Sequence, residues 1–291
     1  MGDSQVVRKL WVLSPSKGDA ESFAGLREKI LLELRALGHF ECRFVLLDAQ
    51  LNSQEISSDP AMTALSLHED VGVVAVPESV WRRGPGHAIV FGLREIMNLG
   101  ESGDWIVTLD ADGEDPPEGI AHLISVLSEK EGTEMGAMTV AVATGVPRSR
   151  LFDGCFWILV GRVPRNRHFA AFSFKGLRVW GGHPFFGVSY ASALLNAPPQ
   201  VVEVPCPRGM RSRGKSRVGV FTRMRESRHM IIPFHARVSA RLIWFSRVLG
   251  LLGLLALFVS MELTAVTWGA ALASWLAVAF FDRWVRGFLA T

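Results

Sequence analysis

Cysteine is scarce: Cys42, Cys155 and Cys206 are the only three in 291 residues, and they lie far apart with no CxxC pair. That excludes a disulfide scaffold and a cysteine zinc site, and it fits a reducing compartment. Charge is sparse too, at 20% of residues against 49% hydrophobic, which excludes wholesale disorder. A formal net charge of +3 is too small to imply a nucleic-acid partner. The histidines show no HxxxH spacing, and no Ser-His-Asp or Cys-His arrangement offers covalent catalysis. His87 and His183 sit beside glycines and read as structural or solvent-facing. There is no internal repeat and no low-complexity tract. The N-terminus carries no apolar run with a small-residue cleavage site, so no signal peptide is read and the bulk of the chain is expected in the cytosol.

The apolar residues are unevenly spread. Mean hydropathy is +0.24, and the excess lies near the C-terminal end. From Leu242 to Phe281 the only charged side chains are Arg247 and Glu262. A spanning helix needs about 20 apolar residues, so the stretch predicts two helices with a turn near Glu262. Arg237 and Arg241 precede it and Arg283 and Arg286 follow it. Basic flanks on both sides place both ends in the cytosol, which requires an even number of spans. Two interfacial helices are the alternative, and a soluble core helix is disfavoured by the lack of a polar face.

Residues 7–145 alternate between β-rich and helical patterns. Strands are predicted at Lys9–Leu13, Arg43–Asp48, Gly72–Val76, Trp105–Asp110 and Ala137–Ala143, with helices at Ala20–Leu37, Pro85–Met97 and Pro117–Ser128. Such alternation implies an α/β fold, a mostly parallel sheet with helices on both faces. Ligands then gather at the carboxyl ends of strands. The stretch 145–200 gives no assignable pattern, and 217–241 reads as a basic helical region. The expected organisation is a catalytic domain over 1–216, a juxtamembrane region over 217–241, and a membrane hairpin with a short tail over 242–291.

The segment Trp105-Ile-Val-Thr-Leu-Asp110-Ala-Asp112-Gly-Glu114-Asp115-Pro116-Pro117 runs an apolar strand straight into four carboxylates. Like charges this close call for a counter-ion, and hard oxygen ligands select Mg²⁺ or Mn²⁺. Asp110 and Asp112, two apart on an extended segment, can project toward one site. Asp115, before Pro-Pro, reads as the cap of the next helix. A merely solvated acidic turn is the plain alternative.

This D-A-D-x-x-D-P-P segment resembles the family 2 glycosyltransferases of GT-A fold, in particular the dolichyl- and polyprenyl-phosphate sugar synthases. Glu114 stands where that branch has glutamine. Further segments match in order. Trp11-Val-Leu-Ser-Pro15-Ser-Lys-Gly-Asp19 is similar to the family's first strand, through Pro15 and Asp19. Phe44-Val-Leu-Leu-Asp48 is similar to the second, with one aspartate of two retained. Arg82-Arg83-Gly84-Pro-Gly86-His-Ala88 with Gly92 resembles the glycine-rich turn after the third, and Phe174-Lys-Gly176-Leu-Arg178 a later arginine segment whose arginine faces phosphate. The resemblance implies a metal held by Asp110, Asp112 and Glu114, and nucleotide-sugar contacts at Pro15, Asp19, Asp48, Gly84 and Asp110.

A basic cluster follows Glu203-Val-Pro205: Arg208, Arg211, Arg213, Lys215 and Arg217, with Gly214 and Ser216 among them. Attraction to anionic lipid explains cations at about 1 kcal/mol each, but not the interleaved glycine and serine. Guanidinium groups and a hydroxyl on a Gly-flexed loop suit phosphate oxygens, and the pattern resembles the R-x-x-G-x-S-K of polyprenyl-phosphate sugar synthases. The resemblance assigns Arg211, Ser216 and Arg217 to phosphate binding, and Asp110, Asp112, Arg178 and Arg211 to catalysis. Arg148 and Arg150 are read as surface charges.

The implied activity is metal-assisted, inverting transfer of a sugar from a nucleoside diphosphate to undecaprenyl or dolichyl phosphate. The enzyme would be multi-pass in the cell (inner) membrane with a cytosolic catalytic domain. Partners are the nucleotide sugar, the lipid phosphate and the membrane, with a homo-oligomer through the membrane helices left open. Two rivals stand beside it: a family 2 transferase with a polysaccharide or other lipid acceptor, and a non-catalytic membrane scaffold with a decayed transferase fold. Processive synthases carry Q-x-x-R-W, whereas the Arg283-Trp284 pair lacks the glutamine.

Overall fold

The computed structural model describes residues 8–16, 20–37, 40–48, 60–131, 133, 138–144, 150–162, 168–196, 201–207, 209, 220–256 and 261–289. The elements run β1 (Arg8–Ser16), α1 (Ala20–Leu37), β2 (Phe40–Asp48), α2 (Pro60–Ser66), β3 (Val71–Ala75), α3 (Glu78–Trp81), α4 (Pro85–Leu99), β4 (Trp105–Thr108), α5 (Glu118–Lys130), β5 (Val140–Thr144), α6 (Arg150–Val160), β6 (Ala170–Ser173), α7 (Phe174–Gly181), α8 (Tyr190–Asn196), β7 (Val201–Pro205), α9 (Val220–Ile231), α10 (His235–Ala256) and α11 (Met261–Leu289). Two compact units result: one of residues 1–147 and 164–227, the other of 148–163 and 228–291.

The first unit is the expected α/β structure. Its seven strands lie in the order β3-β2-β1-β4-β6-β5-β7. All neighbours pair in parallel except β6, which is antiparallel to both β4 and β5. The period of two in each strand sorts side chains onto two cores. Val12, Leu46 and Val107 join α1 and α5 on one face, through Phe23, Ile30, Ile120 and Leu123. Leu13, Leu47 and Ile106 join α4 and α8 on the other, through Ile89, Leu93 and Leu194. Strands buried on both sides read as nearly continuous apolar runs, as central parallel strands must. Gly92 lets α4 approach the sheet, because a Cβ there would lie 2.7 Å from Leu47 Cδ2 and 2.8 Å from Leu13 Cδ1.

Chain order reverses beside β1, with β2 and β3 on one side and β4 on the other. A crevice opens at such a switch point, outside the carboxyl ends of the strands. Two differences from the sequence reading matter there. The strand into the acidic cluster ends at Thr108 rather than Asp110, so the aspartates stand in a turn. And 145–200, unassigned from sequence, contains α6, β6, α7 and α8. These elements are too short for a helical or strand period to stand out over their aromatic-rich sequence.

The second unit pairs α10 with α11 antiparallel. Ser239 Oγ donates to Asp282 Oδ1 at 2.7 Å, Ser274 Oγ to the Leu242 carbonyl at 3.1 Å, and Ser246 Oγ to the Ala271 carbonyl at 2.9 Å. Helical stretches Ser227–Ala256 and Thr264–Leu289 are long and apolar enough to cross a membrane. α11 already begins at Met261, so Glu262, the expected turn residue, lies within that helix.

Candidate active site

The acidic loop sits at the switch point. Leu109 N donates to the Leu13 carbonyl at 3.1 Å, and Ser14 Oγ to the Leu109 carbonyl at 2.9 Å, which ties the end of β4 to β1. From there the loop is held by its own carboxylates. Asp115, 1% exposed, accepts from the Asp110 amide at 2.9 Å. Asp112 Oδ1 accepts from the Glu114 amide at 3.0 Å, around Gly113 at φ +78°, a left-handed geometry that favours glycine. Asp115 therefore spans the loop, and the N-cap position of α5 is Pro117 rather than Asp115.

A brace that sequence reasoning missed reaches Asp110 from β6. His168 Nδ1 lies 3.1 Å from Asp110 Oδ1, and because a carboxylate only accepts, this nitrogen carries the proton. The His168 carbonyl accepts from Thr108 Oγ1. With that hydroxyl proton committed, Tyr190 OH, 2.8 Å from Thr108 Oγ1, is the donor to it. The rings of His168 and Tyr190 meet edge to face at 5.8 Å. Burial pushes the Tyr190 phenol well above its ordinary value, and the Asp110 and Asp115 carboxylates push the same way. Tyr190 thus stays protonated. His168 precedes an apolar run in the sequence, but only the antiparallel direction of β6, pairing Thr108 with Ala170, brings it to this edge.

The other predicted residues fall as follows. Pro15 pairs with Leu47 and Ser16 with Asp48, so Pro15 and Asp48 lie at the same carboxyl edge, and Asp48 is 2% exposed. Gly84 is the N-cap of α4 at φ 119°, another geometry reserved for glycine. Arg178 is not brought to the loop. It is exposed on α7, between Gly176, packed on Met138, and Gly181, packed on Met97. Since β6 ends opposite Trp105, α7 starts at the amino-terminal edge of β4, away from the aspartates. Asp19, Arg211, Ser216 and Arg217 lie outside the described residues, as does Arg148. One residue of the basic segment is described: the Gly209 amide donates to the Glu114 carbonyl at 2.9 Å, which seats the start of that segment against the acidic loop.

Among the described residues, no group of three or more His, Cys, Asp and Glu side chains forms a metal-holding set. Asp110, Asp112 and Glu114 therefore do not form a closed three-carboxylate set in this structure. The donor chemistry still fits a hard divalent ion. Mg²⁺ is commonly held by one or two carboxylates, with substrate phosphates and water completing its shell, and Asp110 and Asp112 supply such a pair.

No protein-family model matches the chain, and no curated protein matches it in sequence. Solved structures similar to it include the mannosyltransferase PcManGT from Pyrobaculum calidifontis, in complex with GDP-Man and Mn²⁺: 16% identity over 94% of this chain and 88% of that one, TM-score 0.43. Mannosyl-3-phosphoglycerate synthase from Rubrobacter xylanophilus is 14% identical over 81% and 74%, TM-score 0.45. S. aureus TarS is 15% identical over 93% and 80%, TM-score 0.41.

Proposed function

We propose that this protein is a GT-A glycosyltransferase that moves a sugar from a nucleoside diphosphate to a polyprenyl phosphate at a membrane. The observation that carries the reading is the contact between Gly209 and Glu114. It joins the start of the basic segment, suited to phosphate, to the acidic loop at the switch point, suited to a diphosphate-bound cation. Transfer between two phosphate-bearing substrates needs both.

The acceptor phosphate is ionised near neutral pH and is itself a nucleophile, so no strong general base is required. Its single attack on the anomeric carbon, opposite the departing diphosphate, inverts the configuration. Asp110 and Asp112 would hold a divalent ion, which when bound would supply Lewis-acid neutralisation of the leaving diphosphate. His168 holds Asp110 in one orientation. Arg211, Ser216 and Arg217 are assigned to hold the acceptor phosphate beside the donor, while Arg178, at the opposite edge, is left out of this scheme. Pro15, Asp48 and Gly84 line the edge where the nucleoside would lie. The α10–α11 pair, with its outward apolar surface, keeps the enzyme in the bilayer that holds the lipid.

The test is transfer of radiolabelled sugar from a panel of nucleotide sugars to a short polyprenyl phosphate in detergent, with and without Mn²⁺. Metal-dependent product is expected. Donor binding that ignores the metal, with no product from any donor, would return the reading to a scaffold. In the same assay Ser216→Ala should lower the rate about tenfold or more, as a lost hydrogen bond to a charged group costs about 1.5–3 kcal/mol.

A further inference from the structure

Helix α6 belongs to the same compact unit as α10 and α11, and its outer face is apolar. Phe156 and Val160 are buried, with the Phe156 ring edge-on to Phe234 at 6.0 Å. On the other side stand Gly154, Cys155, Trp157 and Ile158, all exposed, with Trp157 at 60% and Ile158 at 62%. At 3.6 residues per turn these four cover roughly half of the helix circumference, and none is charged. A surface helix normally turns charge outward, yet this exposed arc carries none, and Asp153, the acid of the first turn, is half-buried.

The level of this face is set by one arginine. Arg241 Nη1 donates to the Trp157 carbonyl at 2.9 Å and to the Ile158 carbonyl at 2.7 Å. Gly161, at φ +81°, makes room: a Cβ there would lie 2.3 Å from Arg241 Nη2. Arg241 is the last cation before the apolar run that opens at Leu242. The Ser239–Asp282 bond brings the neighbouring Arg283 of α11 to the same level, one turn before Arg286. Exposed tryptophan, exposed apolar surface and exposed arginines therefore coincide where α10 turns from polar to apolar. Tryptophan concentrates at membrane–water boundaries, and arginines there attract anionic headgroups.

We propose that α6 is an interfacial helix: it lies in the plane of the membrane boundary, with Trp157 and Ile158 in the acyl margin and the surrounding arginines on anionic headgroups. This is a membrane contact distinct from the hairpin, and it rests on the reading of the hairpin as membrane-inserted. A bilayer, rather than a protein partner, is the occupant because the cationic belt matches anionic lipid and the apolar face continues the outward apolar surface of α10, where Trp244 and Phe245 are also exposed.

The cysteines supply the probe. Cys155 is exposed on the face in question, whereas Cys206 is buried and burial pushes the Cys42 thiol up to about 11. A thiol-reactive, environment-sensitive fluorophore at neutral pH thus labels Cys155, with Cys155→Ser as the blank. The full chain is reconstituted in vesicles of neutral and anionic phospholipid carrying nitroxides either near the acyl carbonyls or near the chain ends. The α6 label should be blue-shifted and quenched severalfold more by the shallow nitroxide than by the deep one. A second label in Cys155→Ser/Leu272→Cys, on the exposed face of α11, should be quenched more by the deep nitroxide. If the Leu272→Cys label is quenched by lipid but the Cys155 label responds only to aqueous iodide, α6 faces water and the proposal fails while the hairpin stands. If neither label is quenched by lipid, both readings fail. A Cys155 label shielded from iodide and from both nitroxides would mean a protein cover, and would also overturn the proposal.

Discussion

His168 Nδ1 donates to Asp110 Oδ1 across 3.1 Å, joining positions 58 residues apart in the chain. The first carboxylate of the acidic loop is thus oriented by the residue leading into β6, whose own carbonyl is held by Thr108. His168→Ala should weaken metal-dependent nucleotide binding by roughly 10- to 150-fold, the equivalent of about 1.5–3 kcal/mol for a hydrogen bond to a charged group. His168→Asn, which keeps a donor, should recover part of it. Calorimetric titration of a nucleoside diphosphate with Mn²⁺ reads both variants, and unchanged affinity in His168→Ala would remove the positioning role.

Asp112→Asn separates the structural from the ionic role of that side chain. The amide oxygen can still accept from the Glu114 N–H, so the thermal midpoint should stay close to wild type. Metal-dependent nucleotide binding and transfer should both be lost. A variant that still binds Mn²⁺ with nucleotide would sink the assignment of Asp112 to the metal.

Tyr190 is the only tyrosine in the chain, so alkaline tyrosinate absorbance reports on it alone. Its folded pKa is raised above the unfolded value of about 10. Above that pH the unfolded chain releases a proton that the folded chain keeps. The associated stability is therefore fully present below about pH 10 and lost as pH rises beyond it. Tyrosinate should appear together with loss of far-UV dichroism, not before it. Tyr190→Phe should flatten the alkaline decline while costing about 0.5–1.5 kcal/mol at neutral pH, for the lost bond to Thr108.

Two glycines in helices should respond oppositely to alanine. At Gly92 the new methyl meets Leu47 and Leu13 at 2.7–2.8 Å, and overpacking costs about 1–3 kcal/mol, set against about 1 kcal/mol of helix propensity. Gly25 on α1 has nothing within 4 Å of its Cβ position, so Gly25→Ala should gain up to about 1 kcal/mol. Denaturant midpoints measure both, and a stabilised Gly92→Ala would show that α4 can lift from the sheet without penalty.

The α/β class, the first five strands and three of the five helices between them (α1, α4 and α5) were legible in the sequence, because long apolar runs alternating with periodic segments are local signals; the short α2 and α3 were not. The boundaries of α1 match at both ends, at Ala20 and Leu37. The acidic loop was legible for the same reason, as an abrupt change from apolar to acidic residues along one stretch. The apolar C-terminal pair was visible from composition alone. Relationships between distant segments were settled in three dimensions. The direction of β6 carries His168 to Asp110 and sends α7, with Arg178, to the opposite edge, and no local pattern encodes a strand's direction. The Gly209 contact to Glu114 depends on β7 lying beside β5, two strands from β4. The grouping of α6 with the hairpin depends on a guanidinium reaching carbonyls more than eighty residues away in the chain. Periodicity determines which face of an element is buried; pairing order and direction determine which functional groups meet, because they are settled by packing across the whole sheet and not by neighbours in sequence.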